Sequence, residues 1–288
     1  MDRIIITGGA PLTGAIPISG AKNSGPKLMA AALLTDQPLV LANMPRLADT
    51  RFMAHLLATL GVEVTWPEEG GEVHLHAAEI ASTIAPYDLV RNMRASFNVL
   101  GPLLARAGHA TVSLPGGCAI GARPVDLHLK AFEAMGADIH IERGYVKAAA
   151  LRGLRGAVIS FPFVSVGATE HAMLAAVLAH GETVLENAAR EPEIADLAAC
   201  LTAMGASIEG VGTDTIQIVG VPTLGPARYP VMADRIETGT FAIAAAAGGR
   251  VLLQGARAQD NEALWRALEA IGATVRVRED GVEVARSS

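Results

Sequence analysis

Four amphipathic helices predicted along this chain end in the same way, and that repetition limits the fold more than any other feature. The endings are Leu60-Gly61-Val62, Met135-Gly136-Ala137, Met204-Gly205-Ala206 and Ile271-Gly272-Ala273. They recur about every 70 residues, as expected of one supersecondary unit used several times. A glycine just past the last turn closes a helix because it takes φ > 0 without steric cost. An alternating strand follows each glycine, as in Ile139-His140-Ile141 and Val275-Arg276-Val277. Three of these strands lead through a turn into a second strand, at 72–75, 215–218 and 281–284.

Ahead of each amphipathic helix lies an apolar run, at 28–34, 97–104, 172–179 and 241–247. A helix without a polar face must be buried on all sides. Each unit therefore reads strand, buried helix, strand, amphipathic helix, strand, strand. Three units closing around a shared bundle of three buried helices make an α/β (α+β) domain with helices inside and sheets outside. Residues 22–228 hold three units and predict one complete domain, with Pro222, Gly225, Pro226 and Pro230 punctuating the link that follows. The fourth unit, 229–288, lacks two companions. The opening strands, 4–7 and 15–18, are expected to join it, so 1–21 and 229–288 predict part of a second domain. Its apolar helix, 241–247, would leave an exposed patch, and self-association is expected.

Composition narrows the function. The 288 residues suit about two domains, and with 51% hydrophobic but only 4% aromatic residues the core must be built from Ala, Leu, Val and Ile. A net charge of −6 without a Lys/Arg-rich run argues against nucleic acid as a partner. Cys118 and Cys200 form no disulfide framework and no metal cluster, which fits a reducing compartment. Cys200 lies beside the helical stripe Ile194, Leu197, Leu201 and Met204 and reads as packing. The eight histidines show no metal-ligand spacing, and neither a metal nor a cofactor is expected. The N-terminus has no signal-peptide pattern and no apolar run reaches a membrane span, so a soluble cytoplasmic protein is expected.

The chemistry collects around Pro115-Gly116-Gly117-Cys118-Ala119-Ile120-Gly121-Ala122-Arg123-Pro124. A thiol in a glycine loop, followed by a guanidinium and a helix start, is held where its pKa falls and anions are attracted. Pro124 is expected in the first helical turn, with Val125, Leu129 and Phe132 on its apolar face. Three further segments lead into buried helices. Ser19-Gly20-Ala21-Lys22-Asn23-Ser24-Gly25-Pro26 offers Asn23 or Ser24 as a cap. Ser165-Val166-Gly167-Ala168-Thr169 offers backbone N–H groups to an anion, and Arg91 and Arg94 ride the second unit's helix opposite Met93, Phe97 and Leu100. If the units share one fold, these helix starts converge with Lys22, Arg94 and Arg123 on a site for a phosphate or diphosphate. Read singly, Lys22 is equally a solvated loop cation, Arg94 a surface partner for Asp88 or Glu133, and Ser165 a plain N-cap.

With these residues in hand, the sequence resembles the UDP-N-acetylglucosamine enolpyruvyl transferases. The matching stretches include Ile18-Ser-Gly-Ala-Lys-Asn23, Met93-Arg-Ala-Ser96, the cysteine loop through His128, Val164-Ser-Val-Gly-Ala-Thr169, Glu186-Asn-Ala-Ala-Arg-Glu-Pro-Glu-Ile194 and Asp234-Arg-Ile-Glu-Thr-Gly239. The resemblance implies an inside-out α/β barrel of repeated units, six in two domains. It also implies transfer of the enolpyruvyl group of phosphoenolpyruvate to the 3-hydroxyl of UDP-N-acetylglucosamine, early in peptidoglycan and cell-wall synthesis. By the same resemblance Cys118 is the acid that protonates the phosphoenolpyruvate methylene and the thiol that fosfomycin alkylates. Lys22 and Asn23 contact both substrates, while Arg94 and Arg123 face the anions. Arg123, Pro124, Val125, Asp126 and Leu127, with Ser165, Val166 and Gly167, hold the uridine diphosphate. The family often carries a lysine two residues before that serine, where this chain has Phe163. Two further units, bringing an aspartate and more arginines, follow in the family. Without them the chain is expected to turn over poorly. The alternatives are a non-catalytic nucleotide-sugar-binding or partner-dependent fragment, and the sister transferase acting on shikimate 3-phosphate, which lacks this cysteine loop.

Overall fold

The computed structural model describes residues 3–5, 7–67, 71–91, 93–115 and 124–286. The chain divides into two compact units, Lys22–Met232 and a smaller one formed by Met1–Ala21 with Ala233–Ser288.

The larger unit holds three repeats. The first runs α1 (Gly25–Ala31), a 3-10 turn, β2 (Leu39–Ala42), α2 (Ala48–Thr59), β3 (Glu63–Thr65) and β4 (Val73–His76). The second runs β5 (Ile84–Ala85), α3 (Tyr87–Val90), a 3-10 segment (Arg94–Val99), α4 (Leu100–Ala107), β6 (His109–Ser113), α5 (Asp126–Ala134), β7 (Asp138–Glu142) and β8 (Tyr145–Ala149). The third runs β9 (Val158–Ser160), α6 (Val166–Ala176), β10 (Glu182–Glu186), α7 (Pro192–Ala203), β11 (Ser207–Glu209) and β12 (Thr215–Val219), with β13 (Ala227–Pro230) after it. The smaller unit combines β1 (Leu12–Pro17) with α8 (Arg235–Gly248), β14 (Gly249–Gln254), α9 (Glu262–Ala270), β15 (Ala273–Arg278) and β16 (Gly281–Arg286).

All four sheets share one strand order: β13-β2-β4-β3, β5-β6-β8-β7, β9-β10-β12-β11 and β1-β14-β16-β15. In each, the first strand pairs in parallel and the rest antiparallel. The closing glycines adopt the expected left-handed backbone, with φ of +106° at Gly61, +87° at Gly136, +105° at Gly205 and +91° at Gly272. Each β-hairpin puts alternate residues inward. Leu39, Leu41, Val73, Leu75, Val146, Leu185, Ile216 and Ile218 are all buried on the sheets' inner faces. Inside the larger unit, α1, the 3-10 turn after it, α4 and α6 supply Leu28, Met29, Leu33, Leu100, Leu103, Leu104, Met173 and Leu174 to the core. Helices fill the centre and sheets the outside, so the α/β repeat architecture read from the sequence is observed.

Four details differ from the sequence reading. A second strand, β8, follows β7 as well. Its turn, Arg143-Gly144, has φ of +52° and +80°, the positive pair that a two-residue hairpin requires, but without the usual Asn-Gly. Arg91 and Arg94 do not share one helix. Arg91 caps α3, and Met93 is extended (φ −148°, ψ 119°) before the 3-10 segment begins. Pro102 has no N–H to give residue 98, so the α-helix begins only at Leu100. Tyr229 and Pro230 belong to β13, which lies parallel to β2 in the larger unit, and Ile4 and Ile5 form no strand but are exposed. Within the smaller unit, β1 joins β14 in parallel, and Trp265, Leu268, Val251, Leu253, Val282 and Val284 form the core. There α8 buries Ala242 and Ala245 but leaves Ile243 exposed.

Candidate active site

Cys118 and Arg123, with the rest of 116–123, lie outside the described residues. The remaining predicted positions all fall in the larger unit, and a chain of contacts joins them. Lys22 is exposed and its Nζ lies 3.0 Å from Asp49 Oδ2, in the first turn of α2. Asn23 is also exposed. Ser24 occupies the cap position of α1 in an α-like conformation, and its side chain makes no capping bond, unlike the expectation for Asn23 or Ser24. Its carbonyl accepts from Lys27 and Leu28 instead. Pro26, with no N–H to satisfy, sits in the first turn as expected.

Arg94 starts the 3-10 segment, and its Nη2 donates to the Pro124 carbonyl at 3.1 Å. This fastens the second buried segment to the end of the cysteine loop. Pro124 is exposed, Val125 occupies the cap position of α5, and Asp126 and Leu127 open the helix, so Pro124 precedes the first turn rather than lying in it. Ser165 caps α6: its Oγ accepts from Ala168 N at 3.3 Å. The amides of Val166 and Gly167, the first two of the helix, have no carbonyl one turn back within it. Thr169 completes the corner by donating to the Ser165 carbonyl (2.9 Å) and accepting from Ala189 N (3.1 Å). Phe163, at the position of the family's lysine, is 59% exposed.

Below these loops lie four polar residues that the sequence reading did not assign. Gly101 N–H donates to His171 Nε2 at 2.8 Å, so the neutral His171 ring carries its proton on Nδ1. That proton is given to His128 Nδ1 at 2.9 Å, which leaves His128 protonated on Nε2. The Cε1–Nε2 edge of His128 faces Gly167, where an added Cβ would lie 3.3 Å from Cε1 and 3.5 Å from Nε2. Burial, then the nearby Arg94 cation, pushes His128 down to about 4 against the pull of Asp126. Burial also holds His171 well below the ordinary histidine range. The other two residues are Lys27 and Glu170, an ion pair between α1 and α6. Their sequence signal was faint: Glu170 and His171 interrupt an otherwise apolar helix just ahead of the 172–179 run.

The contacts thus run Arg94 to Pro124, through α5 to His128, to Gly167, through α6 to Glu170, to Lys27 and Asn23. Positive helix ends, two exposed or half-exposed cations and a neutral imidazole edge form a surface suited to a multiply charged anion. Cys200 is elsewhere, fully buried, with its thiol pushed far up by burial and then by Asp196, as expected of a packing residue. Among the described residues no cluster of His, Cys, Asp or Glu is placed to hold a metal, and no helix is long and apolar enough to cross a membrane.

Comparison with known proteins bears on this arrangement. The family described as EPSP synthase (3-phosphoshikimate 1-carboxyvinyltransferase) matches residues 6–288. The chain belongs to that family. Among its curated relatives, proteins named UDP-N-acetylglucosamine 1-carboxyvinyltransferase are 67% identical in Hyphomonas neptunium and 66% identical in Maricaulis maris, over 99% and 100% of this chain. The chain spans about two thirds of the length of these relatives, 65% and 68%. Among solved structures, the enolpyruvyl transferase NikO from Streptomyces tendae superposes with a TM-score of 0.85 at 24% identity, covering 98% of this chain and 67% of its own. An EPSP synthase from Acinetobacter baumannii gives 0.78 at 20% identity, covering 99% and 66%. Those two share the fold.

Proposed function

We propose that the protein transfers the enolpyruvyl group of phosphoenolpyruvate to the 3-hydroxyl of UDP-N-acetylglucosamine and releases phosphate, a cytoplasmic step of peptidoglycan synthesis. The observation that carries this reading is the name shared by relatives up to 67% identical across essentially the whole chain. The sugar 3-hydroxyl gives up its proton to solvent as its oxygen bonds to C2 of phosphoenolpyruvate, while C3 takes a proton. Loss of phosphate and of a C3 proton from that tetrahedral adduct then restores the double bond. In this proposal Cys118 delivers the proton to C3. Lys22 exchanges its Asp49 partner for the substrate's phosphate and carboxylate, offsetting charge that grows in the transition state. Arg94 and Arg123 balance the same anions, and Asn23 orients the sugar. The Ser165-Val166-Gly167 helix start, with the His128 edge against Gly167, supports a diphosphate. Pro124, Val125, Asp126 and Leu127 border the uridine. In this reading Lys22–Met232 is one three-repeat domain, and Met1–Ala21 with Ala233–Ser288 belongs to a second.

The test is phosphate release from phosphoenolpyruvate, with UDP-N-acetylglucosamine or shikimate 3-phosphate as acceptor, alongside calorimetric binding of both. Release or binding that needs the nucleotide sugar, with release lost in Cys118→Ala and sensitive to fosfomycin, is expected. Preference for shikimate 3-phosphate would overturn the substrate assignment.

A further inference from the structure

Glu170 is a carboxylate with 1% exposure, one helical turn beneath the backbone that would meet an anion. A negative charge there opposes anion binding unless it is compensated. Lys27, in the first turns of α1, provides the compensation: its Nζ lies 3.3 Å from Glu170 Oε2 and donates to the carbonyl of Asn23. One ammonium therefore ties α1, the Asn23 backbone and α6 together.

We propose that the Lys27–Glu170 pair is a proton-linked positioning device, which holds the Lys22-Asn23 segment against the start of α6 and couples anion binding there to protonation of Glu170. The inference rests on the reading of Lys22, Asn23 and Ser165 to Gly167 as an anion site. Neither Lys27 nor Glu170 has to touch the substrate.

The charges facing Glu170 support the coupling. Burial raises its carboxyl to about 7, Lys27 from α1 offsets part of that rise, and Glu193 and Glu191, in and beside α7, add to it. From the other helices packed on α6, α5 brings His128 against His171 and Gly167, and α4 brings the Gly101 N–H to His171. Both imidazoles are neutral and, among the described residues, the charges acting on Glu170 are the Lys27 cation and the Glu193 and Glu191 anions. An anion arriving at the helix start has the same sign as Glu193 and Glu191, so it favours the protonated carboxyl. With Glu170 neutral, the full positive charge of Lys27 lies under the bound anion while its bond to Asn23 remains. Near pH 7 the pair is a mixture of neutral and cationic forms in the empty site, and a bound anion shifts it towards the cationic form.

The experiment is titration calorimetry of the chain with UDP-N-acetylglucosamine near pH 7, in buffers that differ in ionisation heat. The wild type is expected to take up a fraction of a proton and to lose affinity as pH rises from about 7 to about 8. Glu170→Gln, which keeps shape and removes the charge, is expected to take up none and to bind with little pH dependence. Lys27→Met is expected to bind roughly tenfold more weakly. Uptake by Glu170→Gln equal to the wild type overturns the coupling. Amide hydrogen exchange of residues 22–28 in the ligand-free chain tests the positioning separately. Faster exchange in Lys27→Met is expected, and unchanged protection overturns it. Absence of any wild-type binding to UDP-N-acetylglucosamine would defeat the substrate assignment instead, with the exchange result still deciding the role of the pair.

Discussion

Replacing Gly101 with alanine probes a close approach between the central helices α4 and α6. An added Cβ would lie 2.7 Å from His171 Cδ2 and 3.1 Å from both Nε2 and the carbonyl oxygen of His171. The imidazole has nowhere to swing. It is fully buried, with ring centroids of Phe132 at 4.7 Å, His128 at 5.2 Å and Phe97 at 5.6 Å. The helices must therefore separate by several tenths of an ångström, and overpacking of this kind costs about 1–3 kcal/mol. Separation also stretches the Gly101 N–H bond to His171 Nε2, and leaving that buried nitrogen unsatisfied costs about 1–3 kcal/mol more. Alanine's better helix propensity returns about 1 kcal/mol at most. The net expectation is a loss of about 2–4 kcal/mol, read from the midpoint of urea unfolding at constant slope. His171→Ala removes the ring but leaves the backbone carbonyl oxygen 3.1 Å from the new Cβ, so Gly101→Ala made in that background should cost about 1 kcal/mol, a coupling of about 1–3 kcal/mol. A Gly101→Ala variant as stable as the wild type, or one equally destabilised with and without His171, would refute the packing argument.

Two further outcomes follow from buried titratable groups. The folded chain keeps His128 neutral down to about 4, whereas the unfolded chain protonates it near 6.5, so its contribution to stability is lost as pH falls through that interval, by up to about 3 kcal/mol. Glu170 works in the opposite sense: the folded state binds its proton more tightly, so stability declines as pH rises from 4.5 towards about 7. Unfolding free energies from pH 4 to 8 should therefore fall more steeply in acid for Glu170→Gln and less steeply for His128→Gln. Identical profiles for the two variants would contradict both assignments. In thiol labelling at pH 8, Cys200 should be protected by roughly 10³-fold or more until the chain unfolds, because the reagent must wait for opening. Labelling of the native chain at the rate of a free thiol would place Cys200 outside the core.

Much of the architecture was legible because its signals are local. The four closing glycines mark helix ends by backbone conformation alone, and Gly61, Gly136, Gly205 and Gly272 all take positive φ. The apolar runs 28–34, 97–104 and 172–179 declared burial because a helix without a polar side has no face for water. The local structure around the candidate site was legible where a helix end is marked by its own residues. Ser165 is a cap whose hydroxyl accepts from Ala168 N, and Lys22 and Asn23 lead directly into α1. The break between Arg91 and Arg94 was missed because helical spacing of apolar residues continues through it, while the backbone does not.

What the sequence determined by itself was the repeated unit, the two classes of helix and the family, since periodicity, caps and motif identity all reside within a few residues of one another. Only the tertiary structure decided which strand completes the first sheet. Ala227 to Pro230 pairs with Leu39 to Ala42 across most of the larger unit, and a four-residue segment ending in proline carries no local mark of a parallel partner so distant. It likewise decided the polar floor of the site. Lys27, Glu170, His128 and His171 become an ion pair and an imidazole relay only when α1, α4, α5 and α6 meet, because burial and the approach of a second charge set their states, and neither is written in the neighbouring sequence.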